Sequence, residues 1–565
     1  MNTSFFQGFN DAELFYREWN FQPNQKTIII IHRGHEHSER LNDVAQSPEF
    51  SKFNIFAFDL RGHGNTKEKT SPDFMDYVRD LDEFSKFLHQ KYSIENKDIF
   101  VLANSIGGVI ASAWVHDFAP EIAGMALLAP AFEINLIVPL ANEMIGLGAK
   151  LKKDLIIQSY VKSKMLTHDL DQQKAYDTDP NISRSINAKL LMDVQSAGKR
   201  LIEDSAAIDT PTLILSAEKD VVVFNKQQRK FFDNLESELK EFVTLPNFFH
   251  GILFETGKEK VYKMVTDFAE KSFNQTKKEP SLSPDLFSVR EYKDLQNNVG
   301  NNFNFKFQKW SLGKIGKISN GMAIGLKHGF DSGVSLDYVY KNEPKGKLGF
   351  GKMMDENYLN AIGWRGIRIR KQHLLKLLEE NIQSLKKEGK PIKILDIAGG
   401  TGNYLFDIKE KYPDAEIVIN EFMKANIEEG EKVINNKNYE NIRFTNFDCF
   451  DPKTYEKVNF QPNIIIISGI FELFGDNETA DKAIKGITSI AEKNSHLIYT
   501  GQPWHPQLKM IAYVLNSHQE KDWVMRRRSQ KELDRIMVFN KIKKQKMLID
   551  DFGIFTVSAG IVNKL

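Results

Sequence analysis

Three residues in the first half of the chain have the types and the order that nucleophilic catalysis by serine requires. Ser105 follows the apolar run IFVLA (99–103) and precedes paired glycines, which is typical of a sharp turn from a strand into a helix. Asp220 and His250 each follow another strand-like run further along the chain. A serine hydroxyl needs a base to take its proton and a carboxylate to orient that base. The order Ser, Asp, His therefore predicts a triad of nucleophile, acid and base.

A glycine turn near the start of the chain offers what such a triad also needs, a pair of backbone donors for the oxyanion. Gly34 lies in a tight turn just after the apolar run IIII (28–31), and Ile106 directly follows the candidate nucleophile. We predict that the N–H groups of Gly34 and Ile106 form the oxyanion hole. Singly, such residues also fit structural roles, since a serine before a helix is often an N-cap. Their joint order is what favours catalysis.

Five segments of the first half, in this order, resemble the monoacylglycerol lipase and lysophospholipase branch of the α/β-hydrolase fold: HRGHEHS, FDLRGHGNT, ANSIGG, SAEKD and PNFFHGILFE. The resemblance covers about residues 5–270. It implies that Ser105 is the nucleophile, Asp220 the acid and His250 the base. It also places the histidine-rich run 32–37 at the oxyanion turn. We therefore expect no metal there, although this run contains residue types that metals bind.

Four positions depart from the usual residues of that branch. Ala103 replaces a glycine and Asn104 a histidine before the nucleophile, while Arg33 and His35 replace the two glycines of the first segment. Ala103 is the mildest change, because it adds one methyl where a small residue must fit. A large cation at Arg33 would either attract an anionic substrate or obstruct the site. Arg33, Ala103 and Asn104 together leave a second hypothesis open, in which this half is a non-catalytic substrate-binding or scaffolding module.

A second group of residues, in the other half of the chain, is typical of a nucleotide-like cofactor site. The run LDIAGGTGNYL (395–405) joins a strand-like to a helix-like segment through glycines, which let a ligand approach the backbone. Such a turn fits nicotinamide dinucleotides, flavins and S-adenosylmethionine. Asp396, just before the glycines, stands where a dinucleotide fold has glycine and so favours S-adenosylmethionine. Glu421 ends the next strand, where it would bind ribose hydroxyls, and Asp448 ends the third, beside the adenine.

This set resembles the class I S-adenosylmethionine-dependent methyltransferases, whose first motif reads Asp/Glu-x-Gly-x-Gly-x-Gly. Ala398 replaces the first of those glycines. The resemblance implies a role for eight residues, which are Asp396, Ala398, Gly400 and Gly402 on the methionine side, Glu421 at the ribose, Asp448 and Cys449 at the adenine, and Ser468 on the fourth strand. The final run IFTVSAGIV would be the reversed edge strand of that fold. With further segments such as FDSGVSLDYVY and QPWHPQL, nearly the whole chain resembles a bacterial family of fused α/β-hydrolase–methyltransferase proteins.

The pattern of the whole chain predicts an α/β protein of two tandem domains, an α/β-hydrolase fold with a helical cap and then a Rossmann-like methyltransferase fold. In both halves, short β-branched runs alternate with helix-length segments, as in parallel sheets covered by helices. A proline-containing polar stretch between the halves predicts a linker. We place the hydrolase domain at 1–272, with its cap at about 132–204, and the linker at 273–290. The methyltransferase domain is 291–565, with an extension at about 291–375 and a core at about 376–565.

Charge and composition restrict the partners. With 76 basic and 75 acidic residues the net charge is +1, which argues against a dedicated nucleic-acid binder. One cysteine excludes an internal disulfide, and neither a signal peptide nor an apolar run of about 18 residues is present, so we expect a cytoplasmic protein. The apolar stretch 134–150 of the cap fits acyl chains, a peripheral membrane contact or a buried lid helix. The sequence does not indicate an oligomeric state.

These observations predict a bifunctional enzyme with small-molecule or lipid substrates. The first half would hydrolyse an acyl ester of the acylglycerol or lysophospholipid class, with an acyl thioester as the alternative. The second half would transfer a methyl group from S-adenosylmethionine to a lipid-related acceptor. Two arginine clusters, Arg365, Arg368 and Arg370 and then 526–528, would either clamp an anionic group of that acceptor or cover solvated helix faces.

Overall fold

The computed structural model describes residues 1–68, 73–136, 146, 155–275 and 279–563. The chain divides into two compact units, Met1–Lys278 and Glu279–Leu565, each built around its own sheet. The predicted fold class, two tandem α/β units, is confirmed. None of the helices in the described ranges is both long enough and apolar enough to cross a membrane.

Within its described residues, the first unit contains ten strands. They are β1 Asn2–Gln7, β2 Glu13–Trp19, β3 Thr27–Ile31, β4 Asn54–Phe58, β5 Ile99–Asn104, β6 Gly124–Leu128, β7 Ile156–Gln158, β8 Ser185–Asn187, β9 Thr212–Ala217 and β10 Lys240–Leu245. Eight of them form one sheet in the order β1-β2-β4-β3-β5-β6-β9-β10. The pairs of β2 with β1 and β4 are antiparallel and the rest are parallel. The central strands are buried along their whole length, because helices cover both faces of a parallel sheet.

Helices of the first unit flank this sheet or belong to the cap. They are α1 Asn42–Ala45, α2 Phe74–Tyr92, α3 Ile106–Phe118, α4 Leu170–Thr178, α5 Ala188–Glu203, α6 Asn225–Asn234 and α7 Glu259–Phe273. The described part of the predicted cap contains the β7–β8 hairpin, α4 and α5, and α5 packs on α3. Most of the apolar stretch 134–150 lies outside the described residues.

The second unit has a seven-stranded sheet. Its strands are β11 Lys393–Ile397, β12 Glu416–Asn420, β13 Ile442–Thr445, β14 Ile464–Ile467, β15 His496–Gly501, β16 Ile542–Ile549 and β17 Thr556–Val562. The order is β13-β12-β11-β14-β15-β17-β16, and β17 is antiparallel to both of its neighbours. The final strand is therefore reversed as predicted, but its predicted edge position is wrong. The edge is β16, whose lysine-rich sequence IKKQKMLI buries only part of its side chains, and exposed lysines are typical of an edge strand.

Helices cover both faces of the second sheet and form the extension that precedes it. They are α8 Leu286–Gln296, α9 Phe303–Ile315, α10 Asn320–His328, α11 Gly333–Lys341, α12 Leu348–Leu359, α13 Ile362–Lys387, α14 Asn403–Lys411, α15 Lys424–Lys437, α16 Asn477–Ile490, α17 Leu508–Val514 and α18 Gln530–Phe539. Helix α13 runs without interruption across the predicted border at 375/376. Helix α8 begins inside the predicted linker 273–290, and Asn477 donates from Nδ2 to the carbonyl of Leu282 at 3.0 Å. The last third of that segment is thus packed onto the second unit.

Candidate active sites

Ser105, His250 and Asp220 form one hydrogen-bonded relay at the carboxyl edge of the first sheet. They follow β5, β10 and β9, whose carboxyl ends meet at that edge. Oγ of Ser105 lies 2.9 Å from Nε2 of His250, and Nδ1 of His250 lies 2.8 Å from Oδ2 of Asp220. The other oxygen of Asp220 accepts the N–H groups of Val222 and Val223 at 2.8 and 3.0 Å. The histidine is therefore placed to accept the serine proton, and the carboxylate is held in position to orient it.

Ser105 sits on a strained turn between β5 and α3. Its φ of 56° and ψ of −118° lie outside the regions that residues other than glycine usually adopt. The backbone is held there by three hydrogen bonds, from the Ser105 N–H to Leu128 and from Gly108 and Ala131 to the Ser105 carbonyl. A Cβ on Gly107 would come within 2.9 Å of two carbonyl oxygens, so glycine is needed for α3 to pack this close to the sheet. The strained geometry is thus determined by its surroundings.

The two predicted oxyanion donors lie side by side. A Cβ on Gly34 would come within 2.8 Å of Cδ1 of Ile106, and both residues line a cavity of about 240 Å³. His35, which replaces a glycine of the hydrolase branch, has a φ of 71°, and its N–H donates to Nε2 of His63 at 3.3 Å. His35 therefore adopts a left-handed backbone conformation in this turn, although it is not a glycine.

Arg33 neither obstructs this cavity nor offers a charge to it. Its Nη2 donates to Oε1 of Glu36 at 2.7 Å, and its guanidinium stacks over the ring of Tyr176 in the cap. Arg40 donates to the same carboxylate at 3.2 Å. Burial opposes ionisation of Glu36, but the two arginines outweigh it and hold the pKa of Glu36 below its usual range. Both expectations for Arg33, attraction of a substrate and obstruction, are wrong, because the side chain turns away into a buried ion-pair cluster.

The histidines of the run 32–37 point to different partners. Nδ1 of His32 lies 2.8 Å from the Arg33 carbonyl and Nε2 accepts the Leu60 N–H at 3.0 Å. Burial, assisted by His63, lowers the pKa of His32 to about 4, so its ring is neutral. His37 instead contacts Asp179 through Nε2 at 3.0 Å. Across the part of the chain that the structure describes, no three His, Cys, Asp or Glu side chains form a group suited to a metal.

A cavity of about 1640 Å³ opens at the carboxyl edge of the second sheet. Six of the eight residues predicted at the cofactor line it, which are Ala398, Gly400, Glu421, Asp448, Cys449 and Ser468. They follow β11, β12, β13 and β14 in turn. This is the expected place for a ligand site, because open α/β sheets bind ligands at the carboxyl ends of their parallel strands. The other two, Asp396 and Gly402, lie outside this lining.

The glycine turn after β11 is held open by Glu421. Ala398, Gly400 and Gly402 all have left-handed backbones, with φ of 58°, 60° and 74°. Oε2 of Glu421 accepts the N–H of Gly400 at 2.9 Å, and Oε1 accepts the N–H of Met423 at 2.8 Å. Gly402 serves packing, since a Cβ there would come within 2.6 Å of Ile419. The carboxylate of Glu421 thus connects the turn after β11 to the turn after β12.

Asp396 lies beneath the glycine turn. Its Oδ2 accepts the hydroxyl of Tyr404 at 2.5 Å, and its Oδ1 has no hydrogen-bond partner within the described residues. Burial raises the pKa of Asp396 to about 7. Cys449 is also buried, which raises the pKa of its thiol to about 12 and makes it a packing residue and not a nucleophile. Asp448 is exposed, and its Oδ1 accepts the Phe450 N–H at 2.9 Å.

Among the first cluster of arginines, Arg370 reaches the cavity. Its buried guanidinium lies over the ring of Phe555, with the centroid 5.3 Å away, and beside Gly469. Arg365 stacks on Phe552, and Arg368 donates to the Leu359 carbonyl at 2.9 Å. The sequence could not separate the three, because which face of α13 meets the cavity depends on the fold.

Glu472 is a lining residue that the sequence pattern missed. It is buried, neither carboxylate oxygen has a hydrogen-bond partner in the described part of the chain, and burial raises its pKa. Gln502 and Trp523 on the same cavity each have a buried N–H group without a partner there. Buried polar groups are normally satisfied, so unpaired ones on a cavity wall are typical of a ligand site.

The second arginine cluster, 526–528, is structural, and both of its predicted roles are wrong. Arg526 is fully buried and donates to Asn477, Ser288 and Glu532, the last at 2.5 Å. Arg527 pairs with Glu291 on α8, and Arg528 donates to carbonyls around residue 474. The cluster is buried against the extension and joins it to the sheet.

These folds and sites define a chain that combines an α/β-hydrolase unit with a methyltransferase-like unit. Residues 22–257 match the family model described as "Serine aminopeptidase, S33", and residues 265–561 match the one described as "Putative methyltransferase". The chain belongs to this methyltransferase family, in a form that also carries the hydrolase unit. It is 37% identical over 571 residues to the YnbC protein of Escherichia coli (strain K12), which covers 99% of this chain and 98% of that protein.

Two relatives of shorter length match less than half of the chain. Phospholipase YtpA of Bacillus subtilis (strain 168) is 24% identical over 260 residues, which are 45% of this chain and 98% of that protein. A monoacylglycerol lipase of Mycolicibacterium smegmatis is 23% identical over 271 residues, covering 46% of this chain and 95% of the lipase. The expected resemblance to the lipase branch and to a fused two-domain family is confirmed.

Proposed function

We propose that the chain is a bifunctional enzyme whose first unit hydrolyses an acyl ester and whose second unit transfers a methyl group from S-adenosylmethionine. The observation that carries the first activity is the relay of Ser105, His250 and Asp220, with contacts of 2.9 and 2.8 Å. The names of the phospholipase and monoacylglycerol lipase relatives support an acylglycerol or lysophospholipid as its substrate class.

The relay supports acyl transfer in two steps. Oγ of Ser105 attacks the ester carbonyl while its proton passes to Nε2 of His250, and the N–H groups of Gly34 and Ile106 stabilise the oxyanion. His250 then gives that proton to the leaving alcohol, which leaves an acyl-serine. Water, deprotonated by His250, releases the fatty acid and restores Ser105. Asp220 keeps the imidazole oriented throughout, because its second oxygen is tied to Val222 and Val223.

A fluorophosphonate probe tests the hydrolase. We expect the purified full-length chain to be labelled, and Ser105→Ala to abolish the labelling. Ser112→Ala is the matched control, since Ser112 lies on helix α3, which begins just after Ser105, and its hydroxyl donates to the Gly108 carbonyl. A folded wild-type chain without labelling would favour a non-catalytic module. Comparing turnover of a monoacylglycerol with that of an acyl thioester distinguishes the esterase from the thioesterase alternative.

The residues on the second cavity fit S-adenosylmethionine, which when bound supplies an electrophilic methyl group. In this proposal the carboxylate of Glu421 would bind the ribose hydroxyls, and Asp448 and Cys449 would hold the adenine. Gly400 supports this fit, because a Cβ there would meet nothing closer than 3.8 Å and so would project into the cavity. Arg370 offers a buried cation for an anionic group of the methyl acceptor.

Calorimetry with S-adenosylmethionine and with NAD tests the cofactor. We expect binding of the first alone, abolished by Gly400→Val, because valine fills the space beside the turn. Gly389→Val is the control for backbone strain, since Gly389 also has a left-handed φ, of 68°, and nothing around its Cβ position. Binding of NAD without S-adenosylmethionine would contradict the proposal.

A further inference from the structure

Helix α9 carries a row of exposed aromatic side chains. Phe303, Phe307 and Trp310 are 80%, 54% and 57% exposed. Their rings stack in sequence, with centroids 6.5 Å apart for the first pair and 5.8 Å for the second. The spacing of four and then three residues places them along one face of the helix. Large exposed apolar patches mark interaction surfaces.

The opposite face of α9 fixes the helix to the second unit. Phe305 and Leu312 pack against a core cluster of the extension, and the ring of Phe305 meets that of Tyr513 edge-on at 5.4 Å. The aromatic row is therefore not needed to hold the helix in place, and it projects from a surface that is already packed.

The sequence segment that contains the row carries positive charges only. From residue 295 to residue 330 the sequence contains five lysines and no aspartate or glutamate, in a chain whose net charge is only +1. Lys306, Lys314 and Lys317 are exposed, and Lys309 pairs with Asp522 at 2.6 Å. A helix that combines exposed aromatic residues with lysines is the kind that lies in the surface of an anionic bilayer.

The same helix forms part of the wall of the large cavity. Phe307, Gln308, Ser311 and Leu312 line it, together with the glycine turn and Glu421. Because Phe307 is both more than half exposed and on that wall, the aromatic row lies where the cavity meets the surface.

We propose that the aromatic face of α9 docks on the surface of an anionic lipid membrane and so opens the methyltransferase cavity toward the bilayer. The acceptor would then be an amphiphile drawn from the membrane, with an anionic group for Arg370. The identity of the acceptor rests on the proposed methyltransferase function, whereas the docking does not.

Vesicle cosedimentation of the full chain, without S-adenosylmethionine, tests the docking. We expect binding to phosphatidylcholine vesicles that contain about one-third phosphatidylglycerol, weakened by salt, and little binding to phosphatidylcholine alone. The triple variant Phe303→Ser, Phe307→Ser, Trp310→Ser should bind at least about tenfold more weakly. Replacing Lys306, Lys314 and Lys317 by glutamine should remove the preference for the anionic vesicles. Phe539→Ser, at a site 43% exposed on α18, should bind as the wild type does.

Three results would overturn the proposal. One is the absence of binding to anionic vesicles by the wild type. Another is undiminished binding by the aromatic triple variant, which would assign the membrane contact to another surface such as the cap. The third is a dimer in gel filtration that the triple variant dissociates, which would make the row an interface between two copies. The cosedimentation contains no S-adenosylmethionine. Its result therefore does not depend on whether the chain binds that cofactor in calorimetry.

Discussion

Arg33 and Glu36 form a buried ion pair beside the oxyanion turn, with Nη2 and Oε1 2.7 Å apart and side chains 4% and 1% exposed. The pair turns the arginine away from the cavity of the first unit and toward Tyr176 of the cap. A residue that could have blocked the site instead joins the turn to the cap. This removes the main reason to regard the hydrolase unit as non-catalytic.

Arg33→Met should destabilise the first unit by about 3 kcal/mol, because it leaves the Glu36 carboxylate buried with Arg40 as its remaining partner. Urea denaturation measures the free energy of unfolding. Adding Glu36→Gln should not recover the loss, because Arg40, only 8% exposed, is then left without its carboxylate. Fluorophosphonate labelling of Ser105 in the folded variant should stay at the wild-type rate. Faster labelling of Arg33→Met would instead mean that the arginine obstructs the site.

The fold and the proximity of the three triad residues could be predicted, because both follow from the local alternation of strand-like and helix-like segments. Ser105, Asp220 and His250 each follow a strand, and the carboxyl ends of parallel strands meet at one edge. The direction of Arg33 could not be predicted, since besides pairing with Glu36 the side chain stacks on Tyr176, which lies far along the chain. Strand β16 could not be predicted from its pattern, because Lys543, Lys544 and Lys546 leave it without a regular alternation of apolar and polar residues.

Ala398→Gly should stabilise the second unit by about 1 kcal/mol, since Ala398 has a left-handed φ of 58° that costs an alanine about that much. Ala361→Gly is the matched control, because Ala361 has a φ of −55°, so glycine there relieves no strain, adds freedom to the unfolded chain and removes a packed methyl. The two variants should therefore change the midpoint of thermal unfolding in opposite directions. A loss of stability in Ala398→Gly would show that the turn is not strained.

Arg526→Met should destabilise the second unit by about 3 kcal/mol and release α8, because it leaves Glu532 buried without its closest cation. Arg535→Met is the control, since Arg535 also pairs with the segment before α8, through Asp285, but is 27% exposed. We expect it to cost less than about 1 kcal/mol. Hydrogen exchange of residues 286–296 separates the two effects, and equal protection in both variants would contradict the structural role assigned to Arg526.

The buried carboxyl of Asp396 predicts how the stability of the second unit depends on pH. Burial raises its pKa in the folded chain to about 7, whereas an unfolded aspartate titrates near about 3.9. Between these values the folded protein holds a proton that the unfolded chain releases. Its contribution to the free energy of unfolding is therefore most favourable below about pH 4, falls as the pH rises, and is lowest above about pH 7.

Asp396→Asn should remove this dependence, because an amide does not titrate. Urea denaturation of both chains between pH 5 and pH 8 should show the wild type losing about 2.5 kcal/mol relative to the variant, with most of the loss between pH 5 and pH 7. Tyr404→Phe should extend the loss of stability to higher pH, because the Tyr404 hydroxyl donates to the carboxylate and lowers its pKa in the folded chain. Parallel curves for wild type and Asp396→Asn would mean that Asp396 is ionised in the folded chain at neutral pH. The carboxylate would then be an available charge beneath the glycine turn, and its unpaired Oδ1 would need a cationic partner there.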